Sequence, residues 1–250
     1  MTLDCLERIC DATSVDELWE LYTTTMADYG FDRIMYGFTR FKTATSLGDI
    51  LDSLVLTNHD PEYVEDYVSK GLYYHAPMLR WSLENTGSCS WSWLAERGAE
   101  DGFTDSERKV VALNRENQIK AGYTISFRSS TIRTKGAVAL AAKIGMTQDD
   151  VDKIWEKHGQ EISVISNVAH LKIISLPYSS SRKSLTKRQR EVLEWVGDGK
   201  TMQDIALLMG LTVATVEKHL RLAREALDVE TTAQAVLKAS FQNQIFVVEA

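Results

Sequence analysis

Lys200 and Thr201 stand at the start of a short helix-forming run. Free backbone N–H groups beside a cation at a helix start can hold a phosphate. Thr212 then opens another helical run, with Val213, Val216 and Leu220 as its apolar positions and polar residues on its outer face. Two helices joined by the tight turn at Gly210, the second polar outside, form a helix-turn-helix pattern. Far upstream lies an aromatic set: Tyr63, Tyr67, Tyr73, Tyr74, Trp81, Trp91 and Trp93. These rings would wall a cavity for an apolar or aromatic ligand, or build an ordinary core. Bond-making chemistry has no signature: there is no GxSxG, HExxH, P-loop or GxGxxG. The histidines (59, 75, 158, 170, 219) are scattered, and Cys5, Cys10 and Cys89 fit neither a metal site nor a disulfide framework. The expectation is a non-enzyme without catalytic residues, metal or built-in cofactor.

These residues need elements to position them. Ser14 to Asp28 carries Val15, Leu18, Trp19, Tyr22 and Met26 on one helical stripe, and Gly30 ends it. Residues 33–39 and 53–56 read as strands, 61–70 and 77–84 as short helices. A longer helix opens at Thr104 and ends near Gly122. Residues 123–128 and 137–142 read as adjacent strands, and 147–174 as a long amphipathic helix. This order predicts an α/β/α sandwich with a central antiparallel sheet, which can enclose a cavity between the sheet and one helical layer. Pro177 and the serines at 179–181 mark residues 176–184 as a linker. Beyond it the pattern is all-helical: four helices, the first opened by a Thr186–Gln189 capping box and the last running from Thr232 to Gln242. The expected division is residues 1–175, the linker, and residues 185–250, making an α+β chain.

The chain has 250 residues and a net charge of −7. Residues 182–250 hold ten basic and nine acidic residues, so the acidic excess lies in the first part. That balance suits a module touching DNA through one small basic face rather than a nonspecific coat. No apolar run is long enough to span a membrane, and no basic leader precedes an apolar stretch. A cytoplasmic, reducing setting and no membrane partner are expected.

The run Leu185 to Leu193, with Gly199-Lys200-Thr201, Ile205-Ala206, Thr215-Val216 and His219-Leu220, resembles the DNA-binding domain of LuxR-type regulators. The resemblance implies that the helix from Thr212 enters the major groove. Thr212, Ala214, Thr215, Lys218, Arg221 and Arg224 would face DNA, with Lys200 and Thr201 at a phosphate. It also implies a homodimer on an inverted repeat, with the last helix as a dimer contact. Gln189 replaces the family's usual glutamate, and Glu217 stands where some members carry arginine.

The first part resembles the family's autoinducer-binding domain. Tyr67, Pro77, Trp91 and Gly122 keep the family register, while Tyr63 stands in place of a tryptophan and Ala76 in place of an aspartate. In the family that aspartate accepts the amide N–H of an acyl-homoserine lactone, and the tryptophan donates to the lactone carbonyl. The resemblance thus implies a ligand site at Tyr63, Tyr67, Ala76, Trp91 and Gly122. Its signal would be an acyl-homoserine lactone or a variant ligand. Without the carboxylate, ordinary lactones should bind weakly, because a lost charge-assisted hydrogen bond costs about 1.5–3 kcal/mol. Restoring it by Ala76→Asp would raise lactone affinity, yet would bury a charge that lacks a partner when no ligand is present. The expected function is a LuxR-family DNA-binding regulator of quorum-sensing type. The alternative is a ligand-independent regulator whose first domain serves only dimerisation; a response regulator or a ligand-processing enzyme is more remote.

Overall fold

The structure is a computed structural model that describes residues 2–43, 46–100, 102–178 and 184–246. It forms two compact units: Met1–Gly48 with Leu54–Ile173, and Ile174–Ala250 with Asp49–Ser53.

The first unit is built on five antiparallel strands, β1 (Phe31–Thr39), β2 (Leu54–Thr57), β3 (Gly87–Ser90), β4 (Gly122–Ser126) and β5 (Lys135–Ala142), in the order β2-β1-β5-β4-β3. Side chains alternate across the sheet. On one face Ile34, Tyr36, Val138 and Leu140 are buried. That face packs under α2 (Val15–Asp28) and α7 (Gln148–Ile173), with α1 (Thr2–Asp11) alongside. Tyr123 stacks on Trp155 of α7 with ring centroids 3.8 Å apart. The opposite face presents Gly37, Ala137, Ala139 and Ala141, which are register partners or near neighbours on β1 and β5. A Cβ added at Gly37 would meet nothing within 4 Å. Large residues on one face and small ones on the other leave a void beneath the second helical layer, which comprises α3 (Pro61–Val64), α4 (Pro77–Glu84), α5 (Ser92–Glu100) and α6 (Asp105–Glu116).

Local chemistry sets the helix starts. The Ser14 hydroxyl accepts the Glu17 amide at 3.2 Å, and Thr104 with Glu107 forms a reciprocal capping box on α6. Between α3 and α4 the chain runs through a π-turn (Glu65–Ser69), Gly71 at φ +77 and a 3₁₀ turn (Leu72–His75). The sandwich expected from the sequence is therefore present. Three elements were not anticipated: α1, β3 and α5. The helix opened at Thr104 ends earlier than expected, at Glu116, and β4 starts at Gly122 itself.

The second unit contains α8 (Lys187–Gly197), α9 (Met202–Met209), α10 (Val213–Leu227) and α11 (Thr232–Phe241). Leu185, Val192, Leu193, Ile205, Val216, Leu220, Ala235 and Ala239 fill its core. Capping boxes open α8, α9 and α11. Gly210, at φ +64, ends α9, and Thr212 caps α10 two residues later. Of the stretch expected to be a linker, Leu176 and Tyr178 are buried, and the Tyr178 amide donates to the Gln242 carbonyl at 3.3 Å. The Asn243 amide donates to the carbonyls of Ile174 and Leu176 at 2.8 and 3.1 Å. Positions 179–183 lie outside the described residues. The short segment Asp49–Ser53 joins the unit through an ion pair of Asp52 with Lys238 of α11, 2.6 Å long and largely buried.

Candidate ligand cavity and nucleic-acid face

A cavity of about 820 Å³ lies in the first unit against the small-residue face of the sheet. Its walls include Met35 and Ala139 from the sheet, Tyr63 and Tyr67 from the α3 region, Ala76, Pro77 and Met78 at the start of α4, and Trp91 and Leu94 around α5. Phe103 and the α6 side chains Val110, Val111, Asn114 and Arg115 complete most of the rest, with Ile119 and Lys120 after α6.

Four of the five expected ligand residues line it: Tyr63, Tyr67, Ala76 and Trp91. Tyr63 and Tyr67 stack with centroids 5.2 Å apart, and His59 leans on Tyr63 at 4.9 Å. The Tyr63 hydroxyl donates to Asn114 Oδ1 at 3.0 Å. The Trp91 indole N–H donates to the Thr124 hydroxyl at 2.9 Å. Both donors are therefore satisfied within the wall. Burial pushes both tyrosine hydroxyls well above the usual phenol range, with Tyr67 adding to the shift at Tyr63. They remain neutral donors and acceptors. His59 is pushed down to about 4, by burial first and the neighbouring Arg33 charge second.

Gly122 does not line the cavity; it shapes the wall. A Cβ there would sit 2.2 Å from the Leu140 carbonyl oxygen and 2.9 Å from the Trp91 ring. Its amide donates to Gln148 Oε1 at 3.0 Å, while its carbonyl accepts from the Trp91 amide at 3.1 Å.

Ala76 is buried and occupies the N-cap position of α4 without a side-chain cap. The family's aspartate would fall at a helix start, where a carboxylate is favourable. His75, next to it, is exposed. Of the wider aromatic set, Tyr73, Tyr74, Trp81 and Trp93 stand outside the lining. Tyr73 stacks on Tyr74, and Trp93 lies under the Arg97 guanidinium. The sequence reading missed His59, Asn114, Arg115 and Lys120. Asn114 carried a signal, since it falls one turn after Val110 on an otherwise apolar stripe.

The expected nucleic-acid residues fall into four groups. Lys218 and Arg221 project from α10 and are exposed. Lys218 has no ion-pair partner among the described residues, and Arg221 holds only Glu225, one turn on, at 2.5 Å. Thr212 and Thr215 bond each other at 2.9 Å at the start of the helix. Arg224 is mostly covered and turned inward, donating to Thr232 at 2.9 Å and pairing with Glu217 at 3.2 Å. Glu217 is thus spent on Arg224. Thr201 gives both its amide and hydroxyl to Asp204, at 3.0 and 2.6 Å. These hydrogen bonds hold the Asp204 carboxyl below its usual range, in the place where a phosphate would use the same donors. Lys200 stays exposed beside them. No helix among the described residues is long and apolar enough to cross a membrane.

The model of the autoinducer binding domain matches residues 14–173, and that of sigma-70 region 4 matches residues 183–227. Transcriptional activator protein AnoR of Acinetobacter nosocomialis is 23% identical over 237 residues, covering 94% of this chain and 95% of that one. SdiA in complex with octanoyl-rac-glycerol shares the fold with a TM-score of 0.51 at 17% identity, covering 99% of this chain and 96% of that one. The N-acylhomoserine lactone-dependent LuxR family factor CepR2 from Burkholderia cenocepacia does so with a TM-score of 0.52 at 14% identity, covering 69% of this chain and 93% of that one.

Proposed function

The chain belongs to the LuxR-type regulators with an autoinducer-binding domain, and from that premise we propose that a small signal in the cavity sets the operator affinity of a homodimer. The observation that carries this reading is the cavity: about 820 Å³, mostly apolar, with a few placed polar groups. Small-ligand sites typically measure about 300–1,000 Å³ and have the same make-up. Tyr63, Tyr67, Ala76 and Trp91 line it and Gly122 holds its wall. The signal acts by binding one arrangement of the protein more tightly than another. SdiA with an acyl glycerol and CepR2 with a lactone dependence carry different head groups on related folds, so fold alone does not fix the head.

On the DNA side, α10 offers Lys218, Arg221 and Thr215 to the major groove, with Thr212 and Ala214 at its entry. Thr201 and Lys200 stand at the backbone, and Arg224 serves as a brace for α10. Two such heads related by a twofold axis meet equivalent grooves about one helical turn apart. Selection from a random duplex pool, followed by gel shift, tests this. It should return an inverted repeat bound by two chains; enrichment of direct repeats or of no sequence overturns the assignment.

One observation favours the alternative of a ligand-independent dimerisation platform. Tyr63 and Trp91 already have internal partners at Asn114 and Thr124, so the pocket frame does not need a ligand to satisfy it. Mutual exchange of DNA affinity and ligand affinity separates the two readings, since linkage requires both or neither.

A further inference from the structure

Among the described residues, the polar side chains that line the cavity are neutral or cationic. Among the described residues that line it, none is aspartate or glutamate. Asn114 has its carbonyl engaged by Tyr63, and its amide N–H groups have no partner. The Tyr67 hydroxyl also has no partner among the described residues. Arg115, in the last turn of α6, and Lys120, four residues beyond that helix, are exposed at the rim. Neither side chain makes a hydrogen bond or ion pair among the described residues. His59 on the same wall is neutral above pH ~5, because burial and Arg33 disfavour its charged form. It therefore adds no cation near neutral pH, and one ring nitrogen remains a donor.

A head with an amide N–H needs an acceptor, and the position that would supply a carboxylate is Ala76. A head that only accepts, and carries negative charge, meets the opposite: unpaired donors at Asn114 and Tyr67 and two unpaired cations at the rim. Charge-assisted hydrogen bonds to a carboxylate are stronger than neutral ones, and a partly dry cleft of one sign concentrates a ligand of the other. The remaining wall (Met35, Leu94, Val110 and neighbours) is apolar and suits a chain or a ring.

We infer that the cavity takes an amphiphilic carboxylate, an alkyl or aryl chain ending in an acid group, in preference to an N-acyl lactone, with Arg115 and Lys120 reading the acid. This rests on the proposal that the cavity is a signal site, and names the chemical class of that signal.

Three ligands with the same ten-carbon chain separate head from tail: decanoate, decanoyl-homoserine lactone and 1-decanoyl-glycerol. Each is titrated by calorimetry into the full chain and into Arg115→Gln and Lys120→Gln, both at exposed positions where folding is insensitive. Decanoate should bind wild type at least about tenfold tighter than either neutral ligand. Each substitution should weaken decanoate several-fold, leave the neutral ligands within about twofold, and reduce the salt dependence of decanoate binding. A lactone or glyceride that binds as tightly as decanoate overturns the carboxylate class and leaves the cavity a signal site. So does decanoate affinity that both variants preserve. Failure of all three ligands at millimolar concentration overturns the signal-site reading with it.

Discussion

The ring of Trp91 occupies the space where residue 122 would carry a side chain. A Cβ on Gly122 would lie 2.9 Å from that ring and 2.2 Å from the Leu140 carbonyl oxygen, while the Trp91 amide hydrogen-bonds the Gly122 carbonyl. The glycine lets an aromatic wall close on the sheet. Gly122→Ala must push backbone away, and overpacking costs about 1–3 kcal/mol, here at the upper end. Calorimetry should show the transition of the first unit falling by roughly 6–12 °C, at about 2–4 °C per kcal/mol. An unchanged transition would mean that the ring does not hold this position.

His170 gives a pH signature. It is buried, stacked on Phe127 with centroids 4.1 Å apart and bonded to the Tyr36 hydroxyl at 2.9 Å. Burial first, and the Arg40 charge second, push it down to about 4. Because the folded value lies below the unfolded one, the unfolded chain takes up a proton first as pH falls. Stability is intact above ~6.5 and is lost between ~6.5 and ~4, at up to ~1.4 kcal/mol per pH unit. Urea unfolding at pH 7, 6 and 5 should show a shallower loss for His170→Asn than for wild type, once both are referred to their own pH 7 stability. Parallel losses would exclude a buried neutral histidine.

Ala76→Asp now has a structural expectation different from that of the sequence. The new carboxylate would stand at the uncapped start of α4, facing the N–H groups of the first turn. N-capping contributes about 0.5–2 kcal/mol and partners the charge that would otherwise be buried alone. The variant should melt at or above the wild-type temperature without ligand, and should gain lactone affinity by about tenfold. A lower melting temperature together with no lactone gain would show that the side chain at 76 faces neither the helix start nor the ligand.

The nucleic-acid face makes a graded prediction. Lys218→Ala should leave stability within about 0.5 kcal/mol, weaken operator binding, and lower the salt slope by about one. Arg224→Ala removes the tie to Thr232 and Glu217, and should destabilise the second unit by ~1 kcal/mol or more. Denaturant curves and gel shifts over a salt series check both. Equal stability loss from the two variants would reject the assignment of Lys218 to DNA and Arg224 to packing.

Much of this molecule is legible in its sequence where one local rule dominates. Thr186 with Gln189, Thr104 with Glu107, and Gly210 before Thr212 announce helix boundaries that the structure keeps. Elements without such rules are hidden. β3 is only Gly87-Ser88-Cys89-Ser90, an edge strand with no apolar alternation. α5 contains Gly98, which fits because Phe103 packs where its side chain would be. Part of the cavity lining was legible in the sequence, at Tyr63, Tyr67 and Trp91. Arg115 and Lys120 were not, because an exposed cation shows no pattern until a fold puts a cavity beside it. The small-residue face at Gly37, Ala137 and Ala139 was written in the strand alternation, but its consequence is a void, and voids arise only from packing.

The most direct test of a signal site in the cavity is native mass spectrometry of the full chain made in its own host, compared with Ala139→Phe made in parallel. Ala139 lines the void, and a phenyl ring there fills much of it. Wild type should carry a bound small molecule of a few hundred daltons, roughly the size a cavity of this volume accepts, and the variant should be bare at unchanged fold. Identical bare masses for both proteins, or the same adduct on both, would contradict the account.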